Sequence, residues 1–112
     1  MEAASSPLSD PIVIAPEGEL DIARLGEFRA TLYDAARQAE QLLVVDLSHV
    51  ESIDSSGCGA LVELHHRLRR EKRQLAVVAP SGTAAALILN LSGQRDRLPT
   101  YETRQAATEA TS

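Results

Sequence analysis

Aromatic side chains and cysteine are scarce in this chain of 112 residues. One Phe, two Tyr and no Trp are present, so the core has to be aliphatic and no aromatic platform is available for stacking nucleobases. The single cysteine, Cys58, excludes an internal disulfide and any metal site built from several cysteines. Clustered metal ligands and a Gly-Lys phosphate loop are also missing. We therefore expect the domain to bind no metal or cofactor of its own.

Basic character and long apolar runs are absent as well. The formal net charge is −5, which argues against binding to the phosphate backbone of a nucleic acid. No apolar run approaches the roughly 18 residues that a membrane-spanning helix needs. The start, MEAASSPLSDP, lacks the basic and apolar regions of a signal peptide. The sequence thus predicts a cytoplasmic protein without direct membrane insertion.

The residues that are present alternate between strand and helix patterns. The hydrophobic fraction is 44%, which is enough for one core at this length. Continuous apolar runs predict buried, parallel neighbouring strands at Leu42 to Leu47 and Leu75 to Ala79. Shorter strands are predicted at Pro11 to Ala15 and Leu98 to Tyr101. Apolar residues at three- and four-residue steps predict helices over 22–40, 55–70 and 83–91.

Together these elements predict one α/β domain over residues 11–102. We expect a mixed sheet of four or five strands, parallel in its centre, with helices packed on it. Residues 1–10 and 103–112 hold few large apolar groups to offset the entropy cost of ordering, so we expect both ends to be flexible.

The stretch IDSSGCGALVEL, residues 53–64, places small residues where the second helix should begin. Gly57 and Gly59 each cost a helix interior roughly 1 kcal/mol relative to Ala, and close approach of another surface is one reason to keep them. Residues 48–54 are expected to form a loop at the carboxyl end of a strand, where α/β sheets place their sites. Backbone N–H groups at the helix start would favour an anion on Ser55. A phosphoserine site and a plain helix cap both fit this spacing.

The order of motifs resembles the STAS domain, a family named for sulphate transporters and anti-sigma-factor antagonists. The resemblance covers about residues 12–101 and is carried by EGELD (17–21), LLVVDLSHV (42–50), IDSSGCGALVEL (53–64), LAVVAP (75–80) and LILNLSG (87–93). It implies a small bacterial regulator, not an enzyme, that binds an anti-sigma factor and so frees a sigma factor. The anti-sigma factor is usually a serine kinase in that family.

The resemblance also implies a phosphorylation switch at the first serine of the DSSG motif, Ser55, with Ser56 as second choice. Phosphorylation would block binding, and a metal-dependent serine phosphatase would restore it. The predicted partner surface comprises Asp21, Asp54, Ser56, Gly57, Cys58 and Gly59, with the two carboxylates forming an acidic rim. Cys58 and Gln94 depart from the family, which commonly has a bulky aliphatic residue and a Leu at these positions. The sequence is also compatible with a weak homodimer.

Alternative chemistries have less support. A serine hydrolase would need a G-x-S-x-G elbow, but Ile53 stands two residues before Ser55. His65 and His66 are adjacent, point about 100° apart on a helix and cannot chelate one ion, so we expect one at the core edge and the other in solvent. The main alternative is a constitutive structural STAS subunit, in a signalling scaffold or a lipid-transport ABC system. The intact hydroxyl pair favours the switch.

Overall fold

A computed structural model describes residues 11–110, which form six strands, four α-helices and two short 3-10 turns. The strands are β1 (Ile12–Ile14), β2 (Gly18–Leu20), β3 (Leu42–Asp46), β4 (Val50–Ile53), β5 (Gln74–Val78) and β6 (Thr100–Tyr101). The helices are α1 (Leu25–Gln38), α2 (Ser55–Arg70), α3 (Ala84–Ser92) and α4 (Arg104–Ala110). The 3-10 turns cover Ile22–Arg24 and Gln94–Arg97. The expected flexibility of residues 1–10 lies outside the described part of the chain.

The main sheet has four strands in the order β1-β3-β5-β6, and β3 and β5 are its central pair. Every residue of β3 is buried, as is every residue of β5 after Gln74. The predicted α/β class and the parallel central strands are therefore confirmed. A mixed sheet was expected, but all pairings of the described strands are parallel. The reason is that each connection between neighbouring strands contains a helix, which returns the chain to the same end of the sheet.

A second, two-stranded sheet pairs β2 with β4. The expectation of a loop over residues 48–54 is wrong here, because residues 50–53 form a strand. Val50 and Ile53 bury their side chains at its two ends, 3% and 4% exposed, and β2 supplies the backbone partners. This small sheet carries the chain from the end of β3 to the first residue of α2.

The core lies on one face of the main sheet, under α1, α2 and α3. Leucines from each of these helices are fully buried there, namely Leu32, Leu61, Leu64 and Leu89. The opposite face presents a smaller apolar cluster formed by Leu42, Val44, Ala76 and Val78, with Ala107 packed on it. No helix within residues 11–110 is long and apolar enough to span a bilayer.

Ala107 belongs to α4, a helix that the sequence did not predict. Residues 103–112 were expected to be flexible, but residues 104–110 are helical and Ala107 is completely buried. The Thr103 hydroxyl accepts a hydrogen bond from the Ala106 amide at 3.0 Å, capping this helix. The physical reason for the order is the second apolar face of the sheet, which needs cover that only this segment supplies among the described residues.

Asp46 fixes α4 to the end of β3. It is the only charged residue that is buried in the described chain, at 5% exposed. Its Oδ1 accepts hydrogen bonds from the amide and the hydroxyl of Ser48, at 2.9 and 2.5 Å, and its Oδ2 accepts one from Arg104 Nε at 2.7 Å. Burial alone would raise the pKa of Asp46, but the bonds from Ser48 and the bond and charge of Arg104 outweigh it, so the pKa lies below its ordinary value.

We predict that Asp46→Asn lowers the free energy of unfolding at pH 7 by about 1–3 kcal/mol, because it removes charge-assisted hydrogen bonds. A carboxyl whose folded pKa is depressed stabilises the fold above its unfolded pKa, near 3.9, and this contribution is lost as the pH falls through the lower folded value. Urea unfolding should therefore show the gap between wild type and variant closing below about pH 4. Glu51→Gln, which removes an exposed carboxylate, is the control. A gap independent of pH would contradict the role of the charge.

Candidate functional site

Helix α2 begins where the sequence predicted, because Asp54 caps it. Asp54 has an extended backbone, and its Oδ1 accepts a hydrogen bond from the Gly57 amide at 3.1 Å. The Cys58 amide donates to the Asp54 carbonyl at 3.0 Å and starts the helical pattern. Ser55 is therefore the first helical residue. It is exposed, whereas Ser56 is half-buried.

The second oxygen of Asp54 reaches a distant part of the chain. Oδ2 accepts a hydrogen bond from the Ile22 amide at 3.1 Å, and the Asp54 amide donates to the Leu20 carbonyl at 3.2 Å. We call this set of bonds, together with the Gly57 bond, the Asp54 clasp. It holds the segment Leu20 to Ile22 against the start of α2.

Asp21 lies inside that segment and caps the 3-10 turn that follows. Its Oδ1 accepts a hydrogen bond from the Arg24 amide at 3.2 Å. Asp21 directly precedes the residue whose amide bonds to Asp54, and Asp54 directly precedes Ser55. Both carboxylates are partly exposed and accept hydrogen bonds from backbone amides, so they carry negative charge at this surface and also hold the backbone. Through these bonds Asp21 and Asp54 fix the backbone of the 3-10 turn and of the start of α2, next to Ser55.

The two glycines of the motif have different surroundings. A Cβ on Gly57 would lie 2.8 Å from the Leu20 carbonyl oxygen and 2.8 Å from Ile53 Cγ1, so Gly57 permits the close approach of β2 and β4 to α2. A Cβ on Gly59 would meet nothing within 4 Å. Gly59 is exposed and lies one turn after Ser55, on the same face of the helix. The fold explains Gly57 but gives no reason for Gly59.

Cys58 is buried beneath this surface, at 2% exposed. Burial, and then the negative charge of Asp54, raises the pKa of the Cys58 thiol, so it is not a reactive thiolate. The structure therefore corrects the predicted partner surface, because Cys58 and Gly57 lie inside the fold. Of the predicted contact residues, Gly59 is exposed and Asp21, Asp54 and Ser56 are partly exposed around Ser55.

The Ser55 hydroxyl is exposed at the start of α2. No hydrogen bond joins the Ser55 hydroxyl to a side-chain base in the part of the chain that is described, whereas a nucleophilic serine needs such a base. His65 is half-buried and His66 exposed, which confirms the expected division. Burial, and then the charges of His66 and Arg69, lowers the pKa of His65. Residues 11–110 contain no group of three or more potential metal ligands.

Sequence reasoning missed Ile22 as a member of this site. It was expected to begin a long helix over residues 22–40, but it lies in a 3-10 turn and α1 starts only at Leu25. The hydrogen bond that ties it to Asp54 joins residues 32 apart in sequence. A local pattern carries no signal of that contact.

Known proteins share the fold of this chain. The family model of the STAS domain matches residues 5–107. No curated protein sequence matches the chain significantly. The fold is similar to an anti-sigma factor antagonist from Mycobacterium paratuberculosis, with 26% identity, a TM-score of 0.80 and coverage of 95% of this chain and 89% of that one.

Two further solved structures extend the likeness. The anti-sigma factor antagonist SpoIIAA in its unphosphorylated form shares 24% identity, with a TM-score of 0.67 and coverage of 90% and 87% of the two chains. The STAS domain of a SulP transporter from Vibrio cholerae shares 18% identity, with a TM-score of 0.65 and coverage of 95% and 84%. Both show the fold alone.

The two glycines give a direct test of these assignments. We predict that Gly57→Ala lowers the free energy of unfolding by about 1–3 kcal/mol, because the added methyl group overlaps the Leu20 carbonyl. Gly59→Ala should raise it by about 0.5–1 kcal/mol, because alanine restricts the unfolded chain and meets no obstacle in the helix. Gly26→Ala in α1 is the matched comparison, since its Cβ also meets nothing within 4 Å. Urea unfolding measures all three, and destabilisation by Gly59→Ala would show that the fold itself requires Gly59.

Proposed function

Because the chain belongs to the STAS domain family, we propose that it is an anti-sigma-factor antagonist whose binding is switched off by phosphorylation of Ser55. The observation that carries the proposal is the exposed Ser55 hydroxyl at the first residue of α2, beside two carboxylates already bonded to backbone. The proposed partner is an anti-sigma factor with serine kinase activity, and a serine phosphatase reverses the modification. Such a switch operates in the cytoplasm, where ATP and sigma factors are found.

In the unmodified protein the first turn of α2 carries no charged side chain, so no charge of that turn has to be desolvated on docking. Ser55 and Ser56 carry small neutral hydroxyls, and Gly59 leaves the next turn of the helix without a side chain. A docking partner can therefore approach the backbone of α2 closely, and at Ser55, Ser56 and Gly59 it desolvates only hydroxyl and amide groups. The absence of any structural need for a glycine at position 59 supports this role.

Phosphate on Ser55 changes the charge of this surface and leaves the fold intact. It adds about −1.5 to −2 charge units, and the helix N-terminus stabilises such a charge by only about 0.3–1 kcal/mol. The Gly57 amide is already occupied by Asp54, so it cannot bond the phosphate without breaking the cap. A docked partner would have to desolvate a dianion beside Asp54, a penalty of several kcal/mol per buried ion. A loss of about 3 kcal/mol weakens affinity more than a hundredfold.

A structural STAS subunit is the second candidate, in a signalling scaffold or attached to a transporter. The likeness to the STAS domain of a SulP transporter favours it. Such a subunit has no need of an accessible hydroxyl at the start of α2, or of an exposed glycine one turn later. The two functions differ in whether Ser55 is modified and whether modification changes binding.

We predict that the kinase-type anti-sigma factor encoded in the same genome phosphorylates Ser55 in the presence of ATP. Mass spectrometry should place the phosphate on Ser55 in the wild type and in Ser56→Ala, the matched control, and find none in Ser55→Ala. Calorimetric titration should show that Ser55→Ala binds about as tightly as the unmodified protein. The phosphorylated form should bind at least about a hundredfold more weakly, and Ser55→Asp should fall between them because one carboxylate carries less charge.

Phosphate found only on another residue would contradict the switch. Equal affinity of the modified and unmodified forms would do the same. Copurification of the native chain with a membrane permease, and with no kinase-type anti-sigma factor, would favour the structural subunit.

A further inference from the structure

Ile22 is a large apolar residue on the surface of the site. Its side chain is 67% exposed. Exposed large apolar residues elsewhere in the described chain are Val13, Leu87 and Leu91. Single exposed apolar residues are ordinary on protein surfaces. Ile22 differs because of how firmly its backbone is held and what it is held against.

Both backbone polar groups of Ile22 are bonded. Its amide donates to Asp54 Oδ2 at 3.1 Å, and its carbonyl accepts from the Leu25 amide. Asp21 fixes the same 3-10 turn through the Arg24 amide at 3.2 Å. Asp21 and Asp54 thus both accept hydrogen bonds from this turn of three residues. The one large apolar side chain of the turn, that of Ile22, is exposed to solvent. Isoleucine is also stiff at χ1, so burying this side chain on a partner costs little further entropy.

The turn adjoins the phosphoacceptor. Asp54, which holds the Ile22 amide, immediately precedes Ser55 in the chain, and Leu20 is bonded to the Asp54 amide. Ile22 is therefore bonded through its amide to the residue that directly precedes Ser55. This link joins the exposed Ile22 and the exposed Ser55 in one continuous surface for the proposed partner.

The charges around the turn indicate the chemistry of its partner. The strands that lead to the turn and to α2 carry exposed Glu19 and Glu51, and Glu17 is exposed just before β2. With Asp21 and Asp54 these make five carboxylates, against a single cation in the same segments, Arg24. Two copies of this surface would repel each other. A partner with an apolar socket and a basic rim would be complementary.

We propose that Ile22 is an anchor residue of the docking surface and inserts into an apolar, basic-rimmed socket of the anti-sigma factor. The inference rests on the proposed function and names the part of the surface that determines affinity. The Asp54 clasp fixes the backbone of the anchor before binding, so less entropy is lost on docking, and a few well-packed residues dominate the energy of a typical interface.

The test is a titration of the unphosphorylated protein against the purified kinase-type anti-sigma factor from the same genome. Ile22→Ala should weaken binding by about tenfold or more, whereas Ile22→Val should stay within about threefold. Val13→Ala is the matched control, because Val13 is also β-branched, 38% exposed and situated on edge strand β1. Its affinity should equal that of the wild type. Thermal unfolding should show that Ile22→Ala folds normally, since the residue is exposed.

Equal affinity of Ile22→Ala and wild type, with binding still abolished by phosphate on Ser55, would overturn the anchor and leave the switch standing. Absence of binding by the wild type to that kinase would overturn both. Concentration-dependent self-association that Ile22→Ala abolishes, seen by sedimentation, would mean that a second copy occupies this surface and would also overturn the proposal.

Discussion

The site depends on one carboxylate that serves two helical N-termini. Asp54 caps α2 through Oδ1 and holds the amide of Ile22 through Oδ2. A side-chain cap is worth about 0.5–2 kcal/mol, but a bond between residues so distant in sequence also fixes one part of the fold against another. Together with the pairing of β2 and β4, this bond fixes the positions of β2, the 3-10 turn and the first turn of α2 relative to one another. An amide at position 54 would keep only one acceptor oxygen for the two donors.

The same carboxylate shapes the electrostatics of the serine that follows. A helix N-terminus favours an anion. At the N-terminus of α2 the Gly57 amide is already bonded to Asp54, and Ser55 is the first residue of the helix. If Ser55 is phosphorylated as proposed, its negative charge would meet a helix start whose Gly57 amide is already bonded. The glycines also differ, since Gly57 packs closely against Leu20, whereas Gly59 is exposed on the helix.

Features that local sequence determines could be predicted. The central strands β3 and β5 were predicted because runs of Leu and Val that are apolar on both faces require cover on both sides. The start of α2 followed from the cap preference of Asp54 and the family motif.

Strand β4 was missed because its short sequence, VESI, shows no pattern that separates it from a loop. Helix α4 was missed because its one fully buried residue is an alanine, Ala107, and the apolar cluster that it covers belongs to strands distant in sequence. The different roles of Gly57 and Gly59 could not be read from sequence, since the carbonyl that excludes a Cβ at position 57 belongs to Leu20.

The all-parallel sheet also constrains how the chain reaches this state. Ile12 pairs with Leu43, and Leu43 pairs with Leu75, so each pairing must close a loop of roughly 30 residues before any strand contact forms. Among the described strands no hairpin is available to begin the sheet, since every pairing is parallel. β3 lies between β1 and β5, and each of these partner strands is separated from it in sequence by a helix, α1 or α2. Because the segment that joins β3 to β5 contains both β4 and α2, the site around Ser55 is built from chain that closes the centre of the sheet, and the surface takes shape only when the core does.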